Sequence, residues 1–272
     1  MTILVWGAAE METPAHALRQ RIRDRTHRGL TTGHARGFVQ ANLVVVPACY
    51  RDDLLGFCEA NAAACPVLGV SEVGDPSLPA LGHDIDVRTD LPGYRIYRQG
   101  CLSDVCDDIR GHWGDDLVAV AIGCWFSMEE ALLEAGVRLR HVELGIQGPM
   151  FRSSLATRPH GALHGPVVVS MRPFQRHDVA RVREVTGRFP RVHGAPIHEG
   201  DASALGIAEI SLPDFGERLL PLESEVGLFW GCGLTATCAL QNLGIDFMTH
   251  APGKMLVCDV LNQSLSEPLQ TS

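Results

Sequence analysis

Continuous apolar and β-branched runs mark the strands that the sequence predicts to be buried on both faces. Residues 41–47 (ANLVVVP) and 117–122 (LVAVAI) show no alternation of polar and apolar positions, which is typical of strands covered on both sides. Further strands or extended segments are predicted at residues 66–70, 94–98, 142–152, 165–172, 191–198, 228–232 and 255–260.

Helices are predicted between these strands, most regularly toward the two ends of the chain. Thr13 and Pro14 form a helix start, with a hydroxyl N-cap followed by proline at the first helical position. Ser127 and Glu130 fit a capping box that opens a helix ending at Gly136. Other helices are predicted at residues 51–64, 179–187 and 235–242.

This order of elements predicts an α/β fold of the mixed α+β kind, built in two parts. We expect a three-layer α/β sandwich with a smaller, strand-rich inserted domain. Residues 1–140 and 226–272 would form the main domain and residues 141–225 the insertion. No internal repeat is apparent, and the polar segment 261–272 is expected to be a loosely held tail.

Composition and charge narrow the classes of function. The net charge of -9 and the pI of about 5.7 argue against a nucleic-acid-binding protein. A membrane-spanning protein is not expected, because no run of about 18 apolar residues occurs. The nine cysteines are odd in number and have no CxxC spacing. They indicate free thiols in a reducing cytoplasm, in agreement with an N-terminus that lacks the features of a signal peptide.

Three loops place histidines beside glycine or proline, namely HGALHGP (160–166), HGAPIHEGD (193–201) and HAPG (250–253). Histidine titrates near neutral pH and serves as an acid, a base or a metal ligand. Pro196 rules out a helical metal motif in the second loop. No metal or other cofactor is therefore expected. If a divalent metal were bound, its ligands would be His193, His198 and Asp201.

Arginines and one cysteine complete the candidate chemistry. The planar guanidinium of arginine binds carboxylates in a bidentate manner, and Arg172 stands before Pro173 at the predicted end of a strand. The alternative is that Arg172 and the other candidate arginines, Arg88 and Arg95, pair with acidic side chains of the chain itself. Cys124 lies between a predicted strand and helix, where a thiol pKa can be lowered; a buried structural cysteine is the alternative.

Several segments together resemble one known family. They are FVQANL (38–43), RTDLPGYRIYR (88–98), IGCWFSMEEAL (122–132), HGPVVVSMRP (164–173), HGAPIH (193–198) and HAPG (250–253). In this order they resemble the D-glutamate cyclase family, whose bacterial members carry the label hydro-lyase. The resemblance spans about residues 13–260 and implies a two-part mixed α/β architecture.

The resemblance implies a carbon–oxygen lyase that closes D-glutamate to 5-oxo-D-proline with loss of water. The catalytic residues expected from it are His164, His193, His198, His250, Asp201 and Cys124. The residues expected to bind the carboxylic or amino acid substrate are Arg88, Arg95, Arg172, Ser127 and Ser170. A symmetric homodimer is also expected for an α/β protein of this size.

Three departures from the family pattern keep other functions open. Arg36, Gly69 and Lys254 stand where the family has proline, aspartate and histidine. One alternative is a dehydratase, hydratase or cyclase acting on another small carboxylic acid in specialised metabolism. The other is a non-catalytic protein that binds a small acid.

Overall fold

A computed structural model describes residues 13–266. Within these residues the α-helices are α1 (Pro14–Arg23), α2 (Arg51–Ala60), α3 (Glu129–Glu134), α4 (Arg140–Leu144), α5 (Val179–Gly187) and α6 (Leu234–Leu243). The strands are β1 (Phe38–Pro47), β2 (Val67–Val70), β3 (Tyr94–Arg98), β4 (Cys101–Cys106), β5 (Leu117–Gly123), β6 (Met150–Ala156), β7 (Pro166–Gln175), β8 (His198–Glu199), β9 (Glu225–Gly231), β10 (Phe247–His250) and β11 (Leu256–Leu261).

The first sheet is built around β1. Its strands follow the order β2-β5-β1-β10-β3-β4, and β11 also pairs with β1. Side chains of β1 are buried on both faces, Leu43 in one core and Val44 in another, as its uninterrupted apolar run predicted. Helices α2 and α6 cover the Val44 face, where Leu54 and Leu240 pack.

The second sheet has the order β6-β7-β9-β8, and all its pairs are antiparallel. Phe174 and Trp230 of this sheet pack into the core that lies on the Leu43 face of β1. Helices and two antiparallel sheets in one chain confirm the predicted mixed α+β class. Strand β9 crosses the predicted domain boundary at residue 226 and pairs in the second sheet. The division into domains and the homodimer remain predictions.

The two sheets contain the same unit twice, although no internal repeat was expected from the sequence. Strand β1, a 3₁₀ turn at 48–50 and helix α2 recur as β7, a 3₁₀ turn at 176–178 and α5, each 128 positions later. Strand β5 recurs as β9, 108 positions later. The pairing agrees as well, since Ala41 faces Gly123 in one unit and Val169 faces Gly231 in the other. The expectation of no repeat was wrong. The repeat is not apparent in the sequence because so few side chains are shared between the units.

Several predicted elements differ in the structure. The strand predicted at 142–152 is wrong. Helix α4 ends at Leu144, and Gly145 and Gly148, with φ of 64° and 84°, turn the chain before β6 begins. Residues 190–192 form a 3₁₀ turn rather than an extended segment. Helix α2 ends four residues earlier than predicted, and β4 and β10 were not predicted at all.

The chain ends bear on two further expectations. In the part from 13 to 266, none of the helices has both the length and the apolar character to cross a bilayer. Residues 262–265 of the predicted loose tail form a 3₁₀ turn in which Asn262 and Leu265 are buried. The remainder of that tail and the N-terminal segment considered as a signal peptide lie outside the described residues.

Candidate active site

The two repeated units meet at two cysteine-bearing turns. Strands β5 and β9 both end in glycine, and the next residues are Cys124 and Cys232. The Cys124 N–H donates to Gln40 O of β1 at 3.1 Å, and the Cys232 N–H donates to Val168 O of β7 at 2.9 Å. Each turn is thereby fixed to the central strand of its own sheet.

A hydroxyl three residues after each cysteine completes this attachment. Ser127 Oγ accepts from the N–H of Gln40, and Thr235 Oγ1 accepts from the N–H of Val168. The capping box predicted for Ser127 and Glu130 is therefore wrong. Ser127 lies in a 3₁₀ turn, and α3 begins at Glu129 without a side-chain cap.

The glycines before the cysteines are required by close backbone contacts between the units. A Cβ at Gly231 would lie 2.8 Å from Ala63 O, and a Cβ at Gly123 would collide with Arg191 O. Ala63 and Arg191 are themselves 128 positions apart, so the same contact is made in both directions. The two units therefore interlock about a pseudo-two-fold axis.

A small cavity lies between the two cysteine turns. Three pairs of equivalent residues contribute to its wall, namely Asn42 with Ser170, Cys124 with Cys232, and Phe126 with Leu234. The remaining lining residues have no equivalent partner in the wall: Trp125, Gln147, Met150, Arg172, His193, His250 and Met255. Of the residues predicted from the sequence, the cavity brings together Cys124, Ser170, Arg172, His193 and His250.

Arg172 is the most unusual residue of this wall, because it is only 2% exposed and contacts no carboxylate. Its guanidinium donates to Met171 O at 2.8 Å and to Gln147 O at 2.7 Å. It also stacks over the Trp125 ring, with 5.1 Å from Cζ to the ring centroid. Burial lowers the pKa of Arg172 from its usual value, but an arginine remains charged at neutral pH.

Arg172 was expected at the end of a strand, which is wrong. Strand β7 continues through Pro173 to Gln175. Proline is accepted inside this strand because β6 begins at Met150, opposite Ser170, and leaves no partner on that side of Pro173.

Three buried polar groups on the cavity wall have no hydrogen-bond partner among the described residues. They are Arg172 Nε, Trp125 Nε1 and Ser170 Oγ. Leaving a buried donor unpaired costs about 1–3 kcal/mol, and native proteins rarely place several such groups together. Three of them around one cavity indicate a binding site for a ligand that accepts hydrogen bonds.

A buried acid–base pair behind the wall was missed by the sequence analysis. The Glu129 carboxylate accepts from Thr32 Oγ1 at 2.6 Å and from the Gly33 N–H at 2.9 Å, and it lies 3.0 Å from His141 Nε2. Its charge is one of the effects that raise the pKa of Arg172 against the effect of burial. Glu129 belongs to a segment quoted for the family resemblance, but its spacing from the other site residues gave no signal of its role.

His193 and His250 are both neutral at pH 7, because burial lowers the pKa of each to about 4. His250 Nδ1 lies 3.2 Å from the N and 3.3 Å from the O of Leu43. His193 Nδ1 lies 3.1 Å from Ala63 O, and its φ of 92° is rare for a residue with a side chain. The backbone of the first unit thus holds in place a ring that belongs to the second unit.

The thiols of the two turns do not have the lowered pKa that was expected for Cys124. Burial raises the pKa of the Cys124 thiol well above its usual range and raises that of Cys232 to about 11. Both groups are protonated at neutral pH in the unliganded protein. The alternative of a buried cysteine therefore describes Cys124 in the empty cavity, and its catalytic role remains a prediction.

Three predicted residues of the histidine loops lie away from this cavity wall. The His164 side chain is exposed. His198 Nε2 contacts the backbone O of Asp201 at 2.7 Å. The Asp201 carboxylate is exposed and caps the next turn by accepting from Ser203 N–H at 2.9 Å. Their proposed catalytic roles remain predictions without support from the geometry.

The predicted arginines outside the cavity differ from each other. Arg88 forms a bidentate pair with Asp86, with contacts of 2.9 and 2.8 Å. This agrees with the alternative that the arginines pair with acidic side chains of the chain itself. The Arg95 side chain has no hydrogen bond or ion pair within residues 13–266, and its charge helps to lower the pKa of His250. Arg95 therefore stays a candidate for the region beside His250.

The conditional metal ligands His193, His198 and Asp201 do not come together. Among the described residues, one group of three side chains has suitable spacing for a metal ion: His83, Asp84 and Asp259. Both carboxylates of that group already pair with the buried Arg19, which supplies the charge that a metal ion would otherwise supply.

Comparisons with known proteins agree with the family resemblance. A family model described as D-glutamate cyclase matches residues 118–259. A Bordetella pertussis protein named "Putative hydro-lyase" is 48% identical over 267 residues, covering 98% of this chain and 95% of its own. A Burkholderia multivorans protein of the same name is 47% identical over 255 residues, covering 93% and 98%.

A solved structure gives a more distant likeness. The nitrogen repressor-like protein of Methanococcus jannaschii covers 88% of this chain and 92% of its own, with 13% identity and a TM-score of 0.37. These values are too low to support a conclusion about function.

Proposed function

The chain belongs to the D-glutamate cyclase family, and we propose that its arginine cavity binds D-glutamate and closes it to 5-oxo-D-proline with loss of water. Family membership makes the chain a lyase of the hydro-lyase group. The substrate and the cavity as the place of reaction are our proposals.

The group of unpaired donors around Arg172 carries this proposal. A carboxylate offers two oxygens with about four acceptor positions, and Arg172 Nε, Trp125 Nε1 and Ser170 Oγ are three groups able to donate to them. Binding a carboxylate would pair these groups and give Arg172 a directly contacting carboxylate, which it does not have among the described residues.

The reaction needs proton transfers that neutral histidines can provide. The amine nitrogen of glutamate forms a bond to the side-chain carboxyl carbon, one carbon–oxygen bond breaks, and water leaves. The ammonium group must first lose a proton. When Nδ1 of His250 carries its proton toward Leu43 O, Nε2 is the unprotonated acceptor. With a pKa of about 4, His250 is neutral at pH 7, and the proposal requires this tautomer rather than the one in which Nδ1 accepts from the Leu43 N–H.

The departures from the family pattern leave the cavity wall unchanged. Lys254 donates to Pro92 O at 3.2 Å, and a Cβ at Gly69 would lie 3.1 Å from Leu81 Cδ1 in the first sheet. Neither residue lines the cavity. These positions therefore give no reason to prefer a different substrate, although they motivated that alternative.

Incubation of the purified protein with D-glutamate, followed by chiral chromatography of 5-oxoproline, tests the proposal. We expect 5-oxo-D-proline to form from D-glutamate, and to form at least about ten times faster than from L-glutamate. Saturable binding of D-glutamate without any product would contradict cyclisation and favour the non-catalytic small-acid-binding protein. Turnover of a different carboxylic acid in a parallel screen, with none of D-glutamate, would favour the other lyase reading.

A further inference from the structure

The two thiols of the cavity have matching surroundings that the proposed cyclisation does not use. Cys124 accepts a hydrogen bond from the Phe126 N–H, and Cys232 accepts one from the Leu234 N–H. The charge of Arg172 lowers the pKa of both thiols, against the larger effect of burial. The pseudo-two-fold axis that relates the two turns passes between them, so Cys124 and Cys232 lie on opposite sides of this axis in the cavity wall.

We propose that Cys124 and Cys232 transfer protons to and from opposite faces of the α-carbon of an amino acid whose carboxylate is bound by Arg172. The activity would be exchange of the α-proton and inversion of configuration, with glutamate as the substrate that fits the proposed function. The inference shares the cavity of that function, but it concerns a different bond.

The proposed step is balanced without a redox partner. One cysteine releases its thiol proton to solvent as the substrate binds. As the thiolate it then takes the α-proton, and the electron pair left on the α-carbon is delocalised into the carboxylate that Arg172 holds. The other cysteine, as the thiol, gives its proton to the opposite face. The product is the mirror-image amino acid, and the two cysteines have exchanged protonation states.

The substrate supplies the charge that this step needs. An opposite charge within about 4–6 Å favours the ionised form of a titratable group. The ammonium group of an amino acid bound at Arg172 would bring such a charge next to the thiols. Ligand binding thus offsets the effect of burial, which keeps both thiols protonated in the empty cavity.

Equivalent positions on the two sides of the cavity favour the role of the cysteines in proton transfer over a structural role. Asn42 and Ser170 are equivalent positions of the wall, as are Phe126 and Leu234. Arg172 is among the lining residues without an equivalent, because Val44 occupies the position in β1 that Arg172 occupies in β7. A single anion-binding group between two symmetric proton carriers is the arrangement that inversion at one carbon requires.

Exchange in D₂O tests the proposal directly. The full-length protein is incubated separately with D- and L-glutamate, and α-deuterium is followed by mass spectrometry and configuration by chiral chromatography. We expect deuterium incorporation and interconversion of the two enantiomers. Retention of the α-proton in both enantiomers would overturn the proposal, whether or not 5-oxoproline forms. Exchange without 5-oxoproline would instead overturn the cyclisation and leave this inference standing.

Serine variants test whether the interconversion depends on these two cysteines. Cys124→Ser and Cys232→Ser keep the side-chain size but remove a usable base, so each should lower interconversion by about 100-fold or more. Cys258→Ala, which changes a buried cysteine of β11, is the control and should retain it. Native-like circular dichroism of each variant is checked first. Interconversion by either serine variant at the wild-type rate would contradict the assignment.

Discussion

Ser127 and Thr235 make the same pair of hydrogen bonds in the two repeated units. Ser127 Oγ accepts from Gln40 N at 2.8 Å and donates to Gln40 O at 3.0 Å. Thr235 Oγ1 accepts from Val168 N at 2.9 Å and donates to Val168 O at 3.4 Å. Each hydroxyl thus satisfies a buried strand position and holds the cysteine three residues before it.

Removing either hydroxyl should destabilise the protein. Ser127→Ala would leave the Gln40 N–H without a partner, and Thr235→Val would do the same to Val168. An unpaired buried donor costs about 1–3 kcal/mol, which urea unfolding would measure. Thr237→Val is the matched control, because the buried Thr237 hydroxyl has no hydrogen-bond partner in the described chain. Equal losses in the free energy of unfolding for Thr235→Val and Thr237→Val would show that the hydrogen bonds of Thr235 to Val168 do not stabilise the protein.

Arg172→Lys should weaken substrate binding while keeping the positive charge. Lysine lacks the planar fork that binds a carboxylate through two parallel hydrogen bonds. Loss of one charged hydrogen bond, about 1.5–3 kcal/mol, predicts a rise of about 10- to 100-fold in KM for D-glutamate. Arg152→Lys, at an exposed pair with Asp214, should leave KM unchanged. An unchanged KM in Arg172→Lys would exclude the carboxylate contact.

Ser170→Ala should separate ligand binding from stability. The Ser170 hydroxyl is buried without a partner, so removing it from the unliganded protein should not lower the free energy of unfolding. It should raise KM about three- to tenfold, the effect of one neutral hydrogen bond of about 1 kcal/mol. Ser153→Ala should show the reverse, because Ser153 Oγ donates to Val167 O at 2.7 Å and is absent from the cavity wall. Matching losses of stability in both variants would show that Ser170 has a structural partner.

Turnover of His250→Asn and His164→Asn should distinguish the two histidine loops. Asparagine can replace Nδ1 of His250 toward Leu43 but cannot accept a proton, so we expect kcat to fall by about 100-fold or more. The exposed His164 should be replaceable with kcat within about threefold of wild type. Steady-state formation of 5-oxoproline measures both. A large loss in His164→Asn alone would return the catalytic role to the first loop.

The fold was predictable where local patterns decide structure. The apolar run of β1 and the Thr13 N-cap gave elements that the structure confirms. The site was only partly predictable, because its wall is assembled from residues as distant as Asn42 and Met255. Ser127 shows why. Its position in the sequence suited a helix cap, but in the structure its hydroxyl bonds to the backbone of Gln40 in a buried strand. Cys124 is a second case, since burial cannot be deduced from its position before a helix.

Two buried histidines should make the protein less stable as the pH falls. The pKa of His193 and of His250 is about 4 in the folded protein and about 6.5 in the unfolded chain. Between these values the unfolded chain binds more protons, so stability is fully present above about pH 6.5 and is lost as the pH falls toward 4. Each histidine contributes up to about 3 kcal/mol to this loss. Urea unfolding at pH 7 and pH 5 should show the difference. His250→Asn should reduce it and His164→Asn should not, whereas an equal pH dependence in all three proteins would refute the neutral, buried state of His250.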